Sequence, residues 1–211
     1  MSKVWICKRG LVAAAALAVI GAVAGTTQAA NSRADAERVV QQALDDVARD
    51  FAAGGHGRGG MAGERLSTHF DFEYFSRLVL RNRWAELTPR DREEFMAEMR
   101  RILVDTYSQR LVRYQNEKFS VVPAADSGND QPIVRVLVKI AGGAHDGARI
   151  DFVMRAVGER WLAIDVVMEG VGVMQLYREQ VDSFLADHEG SFAALLARLK
   201  EIAALSQSSR L

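Results

Sequence analysis

The chain has 211 residues, 49% apolar and 26% charged, a make-up that fits one medium globular domain and rules out a disordered polyelectrolyte or a fibre. Lys plus Arg and Asp plus Glu number 27 each, so no cationic excess is present to neutralise a phosphate backbone, and nucleic acid binding loses most of its electrostatic support. The balance is uneven along the chain: the first 29 residues hold Lys3, Lys8 and Arg9 and no acid, and without them 24 cations face 27 acids, a net charge of −3.

That opening segment has the pattern of a secretory signal. A positive start precedes an apolar run from Leu11 to Ala24, and small residues end it at Thr27-Gln28-Ala29. The run is shorter than the ~20 apolar residues of a membrane span and is interrupted by Gly21, Gly25, Thr26 and Thr27. The expected organisation is therefore a cleaved signal over 1–29 and one domain over 30–211, exported to a periplasm. Cys7, the only cysteine, leaves with the signal. The mature chain then has no disulfide, no thiolate metal ligand and no cysteine nucleophile, and its core alone must hold it.

From Ser32 to Phe51, apolar Val40, Leu44, Val47 and Phe51 recur at helical spacing. A glycine-rich run from Gly54 to Gly60 follows and reads as a flexible loop. The aromatic-dense stretch from Phe70 to Phe75, continuing to Trp84, predicts a short helix. A long helix starts at Leu87-Thr88-Pro89-Arg90-Asp91: Thr88 suits the N-cap, Pro89 the first helical position and Asp91 the positive end of the helix dipole. Its predicted stripe is Met96, Met99, Leu103, Tyr107, Leu111 and Tyr114.

Past Asn116 the period shifts to two. Strands are predicted over 117–122, 133–140, 149–157 and 161–168, joined by short turns such as Gly158-Glu159. Val134, Val136, Val138 and Ile140 share one face of the second. Ile150, Phe152 and Met154 share one face of the third, and Leu162, Ile164 and Val166 one face of the fourth. Trp161 and Asp165 then fall on the opposite face. Helical spacing returns at Val171, stops at Gly190 and resumes after a possible cap at Ser191. Helices, a meander and helices again predict an α+β single domain: an antiparallel four-stranded curved sheet with helices packed on one face.

Catalytic and metal patterns are sparse. His56, His69, His145 and His188 lack zinc spacing, no Gly-x-Ser-x-Gly elbow occurs, and the glycine run lacks the Gly-Lys-Ser/Thr of a phosphate cradle. No cofactor or metal is implied. His69-Phe70-Asp71 could orient a histidine base, although a solvated helix start is the commoner role of such a pair. Asp151 and Asp165 on adjacent strands could form an acid–base pair of the steroid-isomerase type, although Asp151 alternates with the apolar face and so points outward toward Arg149 and Arg155. The more conspicuous feature is the supply of Met and Phe (Met96, Met99, Met154, Met168, Met174; Phe70, Phe72, Phe75, Phe152, Phe184), which fits either a filled core or a wall for irregular apolar guests.

The segment Trp161-Leu162-Ala163-Ile164-Asp165-Val166-Val167-Met168-Glu169-Gly170-Val171, with Tyr177-Arg178-Glu179-Gln180, resembles the toluene-tolerance family of periplasmic phospholipid-binding proteins known as MlaC. The Thr88-Pro89 helix start resembles the same family, and the similarity runs from about Ala34 to Leu205. Its strongest element is Asp-x-x-x-Glu-Gly-Val. Gly172 departs from it, standing where the family commonly has Ser, and the glycine-rich run from Gly54 to Gly60 is unusual.

The resemblance implies an NTF2-like carrier, not an enzyme, that holds phospholipid acyl chains between a curved sheet and its helices. It further implies shuttling between an outer-membrane lipoprotein complex and an inner-membrane ABC transporter complex. Because related proteins occur beside hopanoid-synthesis genes, a related membrane lipid is an alternative ligand. The candidate tail-contacting set is Phe72, Phe75, Val79, Leu103, Tyr107, Val136, Val138, Phe152, Met154, Ile164, Val166 and Met174; Glu169 and Gly170 are expected to shape the strand-to-helix turn. Two rival readings stand beside the carrier. A small-molecule enzyme with a steroid-isomerase-type pocket requires a buried carboxylate facing that pocket, and a protein-binding adaptor requires a solid interior and a broad exposed patch.

Overall fold

The computed structural model describes residues 32–53, 59–114, 116–123 and 132–208. The expected signal and most of the glycine run lie outside the described residues.

Helix α1 (Arg33–Ala52) opens with a capping box in which the Ser32 hydroxyl accepts from the Asp35 N–H at 3.2 Å and the Asp35 carboxylate accepts from the Ser32 N–H at 3.0 Å. Helix α2 (Gly59–Ser67) takes Gly59 and Gly60 out of the expected loop. The aromatic stretch divides into α3 (Phe72–Leu80) and the single turn α4 (Arg83–Glu86). The long helix α5 (Pro89–Leu111) begins as predicted, with the Thr88 hydroxyl accepting from the Asp91 N–H. Helices α6 (Val173–Asp187) and α7 (Phe192–Ser208) complete the chain, the Ser191 hydroxyl accepting from the Ala194 N–H at the start of α7.

The sheet is an antiparallel meander of β1 (Lys118–Val122), β2 (Ile133–Ala141), β3 (Arg149–Val157), β4 (Arg160–Met168) and β5 (Val171–Gly172), in that order. There are five strands where four were expected. Glu169 and Gly170, with φ of 51° and 84°, form a two-residue hairpin that lets Val171 and Gly172 pair back onto Met168 and Val167 before α6 begins. The expected shaping role of these two residues is thereby given its geometry.

A second departure lies within β4. The β3–β4 register shifts between Val153 and Met154, leaving Ile164 as the extra residue of a bulge. Alternation is reset there, and the expected face assignment of Leu162, Ile164 and Trp161 fails. Trp161 and Ala163 join the inward cluster with Val134, Val136 and Met154, and Leu162 is half-exposed opposite Arg155.

Two cores result. One joins α1 to the inner sheet face, with Ala36, Val40 and Leu44 against Val134, Val136, Val138 and Ile140. The other packs α3 to α7 on one another, around Phe75, Phe95, Met99, Leu103 and Leu185. Phe70 and Val166 touch both.

Asp165 fixes the start of α6 from the neighbouring strand. Its carboxylate accepts the backbone N–H groups of Val166 and Met174, each at 2.9 Å. A Cβ on Gly172 would stand 2.8 Å from Asp165 Oδ2, so the glycine leaves the carboxylate its place. Burial pushes the Asp165 carboxyl above the usual carboxylate range, opposed by the Met174 and Val166 donors. With the folded pKa above the unfolded one, the stabilisation from this group is complete below the unfolded pKa and is lost as pH rises through the folded value. Asp165→Ala, which orphans both N–H groups, is expected to cost about 1–3 kcal/mol, and Asp165→Asn less. Thermal melts should also show the margin of the wild type over Asp165→Asn narrowing as pH rises from the acid side to neutrality.

Candidate binding cavity

A cavity of about 160 Å³ lies at the seam between the two cores. Each wall follows from a face already described. Helix α1 contributes Val39, Val40, Ala43 and Leu44; α2 contributes Leu66; α5 contributes Leu103, Val104, Tyr107 and Leu111; the sheet contributes Phe119, Ile150, Phe152, Met154, Ala163, Val166 and Met168. Phe70 and Phe72, with rings 4.8 Å apart, close one end, and Val173 comes from the first turn of α6 that Asp165 holds. The wall is almost wholly hydrocarbon and aromatic.

Its polar groups are few and electrically quiet. Burial pushes the Tyr107 phenol up to about 12, so it stays protonated; nearby Tyr177 adds to the effect, and the Arg110 guanidinium, 5.4 Å from the Tyr107 ring, opposes it. His69 is lowered from its usual value by burial and then by the Arg160 charge, which favours the neutral ring. Arg110 is the one Lys, Arg, Asp or Glu among the described lining residues, and it is exposed. A guest would meet an apolar interior and one cation at the rim.

Of the twelve residues proposed from sequence, Phe72, Leu103, Tyr107, Phe152, Met154 and Val166 line this cavity. The other six do not. Val136 and Val138 are fully buried beneath α1. Phe75, Val79 and Met174 belong to the helical core, with the Phe75 ring 5.4 Å behind that of Phe70. Ile164 is buried at the bulge. Sequence reasoning missed the α1 wall, although Val40 and Leu44 had been read as an amphipathic stripe: the stripe shows that a face is buried, and not whether its neighbour is a side chain or a space.

The enzyme reading finds no support in the placement of its groups. Neither Asp151 nor Asp165 lines the cavity. Asp151 stands on the outward face, 3.9 Å from Arg135, and Asp165 is occupied with backbone donors. Asp71 does not orient His69 either; its carboxylate caps α3 through the Tyr74 N–H at 2.9 Å and pairs with Arg155 at 2.7 Å. Among the described residues no group of His, Cys, Asp and Glu could hold a metal ion.

Fold and cavity together define an α+β domain built around an apolar recess between a curved sheet and a helical layer. Residues 37–201 match the MlaC protein family, and the chain belongs to that family. It is 27% identical over 94 residues to the toluene tolerance protein Ttg2D of Pseudomonas putida, a match that spans 44% of this chain and 42% of that protein's length. The fold is shared with a phospholipid-binding protein from Ralstonia solanacearum whose structure was solved in complex with a phospholipid. That likeness has a TM-score of 0.70 and 18% identity, and covers 82% of this chain and 98% of the other.

An apolar cavity of this size is comparable to engineered ones that stay dry and take benzene. Benzene is therefore expected to raise the melting temperature by several degrees as its concentration approaches about 100 times its Kd, a gain of roughly 2.7 kcal/mol. Leu103→Trp, filling the recess from α5, should remove most of that rise in the same thermal assay.

Proposed function

We propose that this protein is a periplasmic lipid carrier that takes phospholipid acyl chains into the seam cavity and leaves the headgroup at the rim. The observation that carries the reading is the cavity itself: hydrocarbon on every wall, with Arg110 at the edge and no acid beside it among the lining residues. Membership of the MlaC family supports it, as does the phospholipid complex of the Ralstonia protein that shares the fold.

The physical need is plain. Exposing a methylene to water costs about 0.8 kcal/mol, so two tails of ~16 carbons cost on the order of 25 kcal/mol outside a membrane or a carrier. A wall nearly as apolar as the bilayer removes that cost without binding so tightly that release fails. The headgroup keeps its water, and Arg110 offers a charge-assisted bond to a phosphate there.

The cavity of about 160 Å³ is smaller than the ~300–1,000 Å³ usual for small-molecule sites. A tail therefore enters by widening the seam. Because the recess lies between the two large cores instead of inside one, the sheet with α1 can shift against the helical layer while each keeps most of its own packing. Phe70 and Val166, which touch both large cores, must yield, and so must the contact of Val47 and Phe51 on α1 with Leu66 and Leu111. The chain's place in lipid traffic follows from this reading: an exported shuttle, delivered by the 1–29 signal, between an outer-membrane lipoprotein complex and an inner-membrane ABC transporter complex.

Native mass spectrometry of protein made in a host with ordinary phospholipid membranes tests the proposal. The wild type is expected to carry mass increments that match phospholipid and are released by organic extraction. Val166→Trp, obstructing the seam, should lose most of the adduct while remaining folded. Folded wild type that is repeatedly lipid-free and refuses added phospholipid contradicts the reading.

A further inference from the structure

The outward face of the sheet has an uneven charge. Lys139 on β2 stands directly opposite Arg149 on β3 and Ser120 on β1, and Lys118 lies one row further along β1 on the same side. All four residues are exposed. Directly opposed residues of an antiparallel pair hold their Cβ atoms about 5 Å apart, where like charges destabilise the sheet. Neighbouring rows on one face are about 7 Å apart, so the three cations lie within roughly one Debye length of each other.

No described acid forms an ion pair with them. Asp151, next along the row, pairs with Arg135 at 3.9 Å; Glu117 accepts from the His145 backbone N–H and lies 2.8 Å from its Nδ1; Asp146 accepts from the Gly142 N–H at 2.7 Å. Among the described residues Lys118, Lys139 and Arg149 make no ion pair or hydrogen bond through their side chains. Beyond the first 29 residues the chain carries a net charge of −3. The cluster is thus a local reversal of sign, able to orient the molecule toward a negative surface.

We propose that Lys118, Lys139 and Arg149 form a docking surface for the anionic face of a phospholipid bilayer. The biological purpose rests on the carrier reading, since a lipid carrier must visit membranes to load and unload. A bilayer suits these cations better than a protein does. They are long, solvated side chains with no groove and no fixed partner, and a fluid headgroup layer can bring its phosphates to them. Each Lys or Arg brought to such a surface strengthens partitioning about fivefold. Three give a weak, reversible, salt-sensitive attachment on the order of a hundredfold above background. The cavity lies behind the same strands, lined by Phe119 beside Lys118 and Ile150 beside Arg149, so an occupied outer face leaves the inner wall free.

The test is flotation of the full protein with vesicles of phosphatidylcholine containing one-third phosphatidylglycerol, compared with pure phosphatidylcholine, at about 0.02 M and about 0.5 M salt. The wild type is expected to float with the anionic vesicles at low salt only. The combined variant Lys118→Gln, Lys139→Gln, Arg149→Gln should lose on the order of a hundredfold in partitioning. Its circular dichroism and lipid uptake by mass spectrometry serve as controls for the fold. Equal flotation of variant and wild type overturns the proposal. So does a wild type that ignores anionic vesicles, including one that instead binds an acidic protein through this face. The two readings separate cleanly: a wild type that takes up lipid but does not float with anionic vesicles sinks the surface alone, whereas salt-sensitive flotation of a wild type without lipid uptake leaves the surface standing and sinks the carrier.

Discussion

The structure depends on two large hydrophobic cores that meet without merging. One is a sheet with a single helix laid across it; the other is a stack of helices. Hydrophobic burial acts on each body separately, so the surface between them need not be filled for either to fold. A void inside a single core would cost stability in proportion to its volume. At a seam neither core needs the space filled in order to pack within itself. This is how a chain without a disulfide among its described residues can keep an apolar recess.

The elements that place the recess are local and specific. Asp165, reaching from β4 to the first turn of α6, and Gly172, which leaves room for the carboxylate, hold Val173 at the cavity wall. The Glu169-Gly170 hairpin turns the chain back so that this contact is possible. The bulge at Ile164 turns Ala163 and Trp161 inward, and Ala163 is the point where the segment before α3 joins the sheet: it donates to the His69 carbonyl at 2.7 Å, and its own carbonyl accepts from the Asp71 N–H at 2.8 Å. The Asp-x-x-x-Glu-Gly-Val segment that carries the family resemblance is therefore a structural clamp. It positions the cavity and does not itself line it with polar groups.

Much of this was legible in the sequence where a single residue type enforces a single geometry. Thr88-Pro89 marks a helix start because a hydroxyl cap and a fixed φ suit little else, and strict alternation in β2 and β3 marks a half-buried sheet. The bulge was not legible: alternation read along one strand carries no record of an extra residue that only its partner's register reveals. The two-residue β5 was too short for any period. The cavity divided the proposed residues in half for a related reason. Val138 and Phe152 have the same inward alternation, but α1 covers the first and open space faces the second. Periodicity reports the side of burial and is blind to what lies across from it.

Where the hydrocarbon of a bound lipid sits is the most direct measure of the account. A phospholipid bearing a photoactivated diazirine near the end of one tail, loaded into the protein and irradiated, should attach to Leu103, Val104, Phe152 or Val166 when the modified peptides are sequenced by mass spectrometry. Attachment confined to the outer sheet face, or to Val136 and Val138 beneath α1, would contradict it.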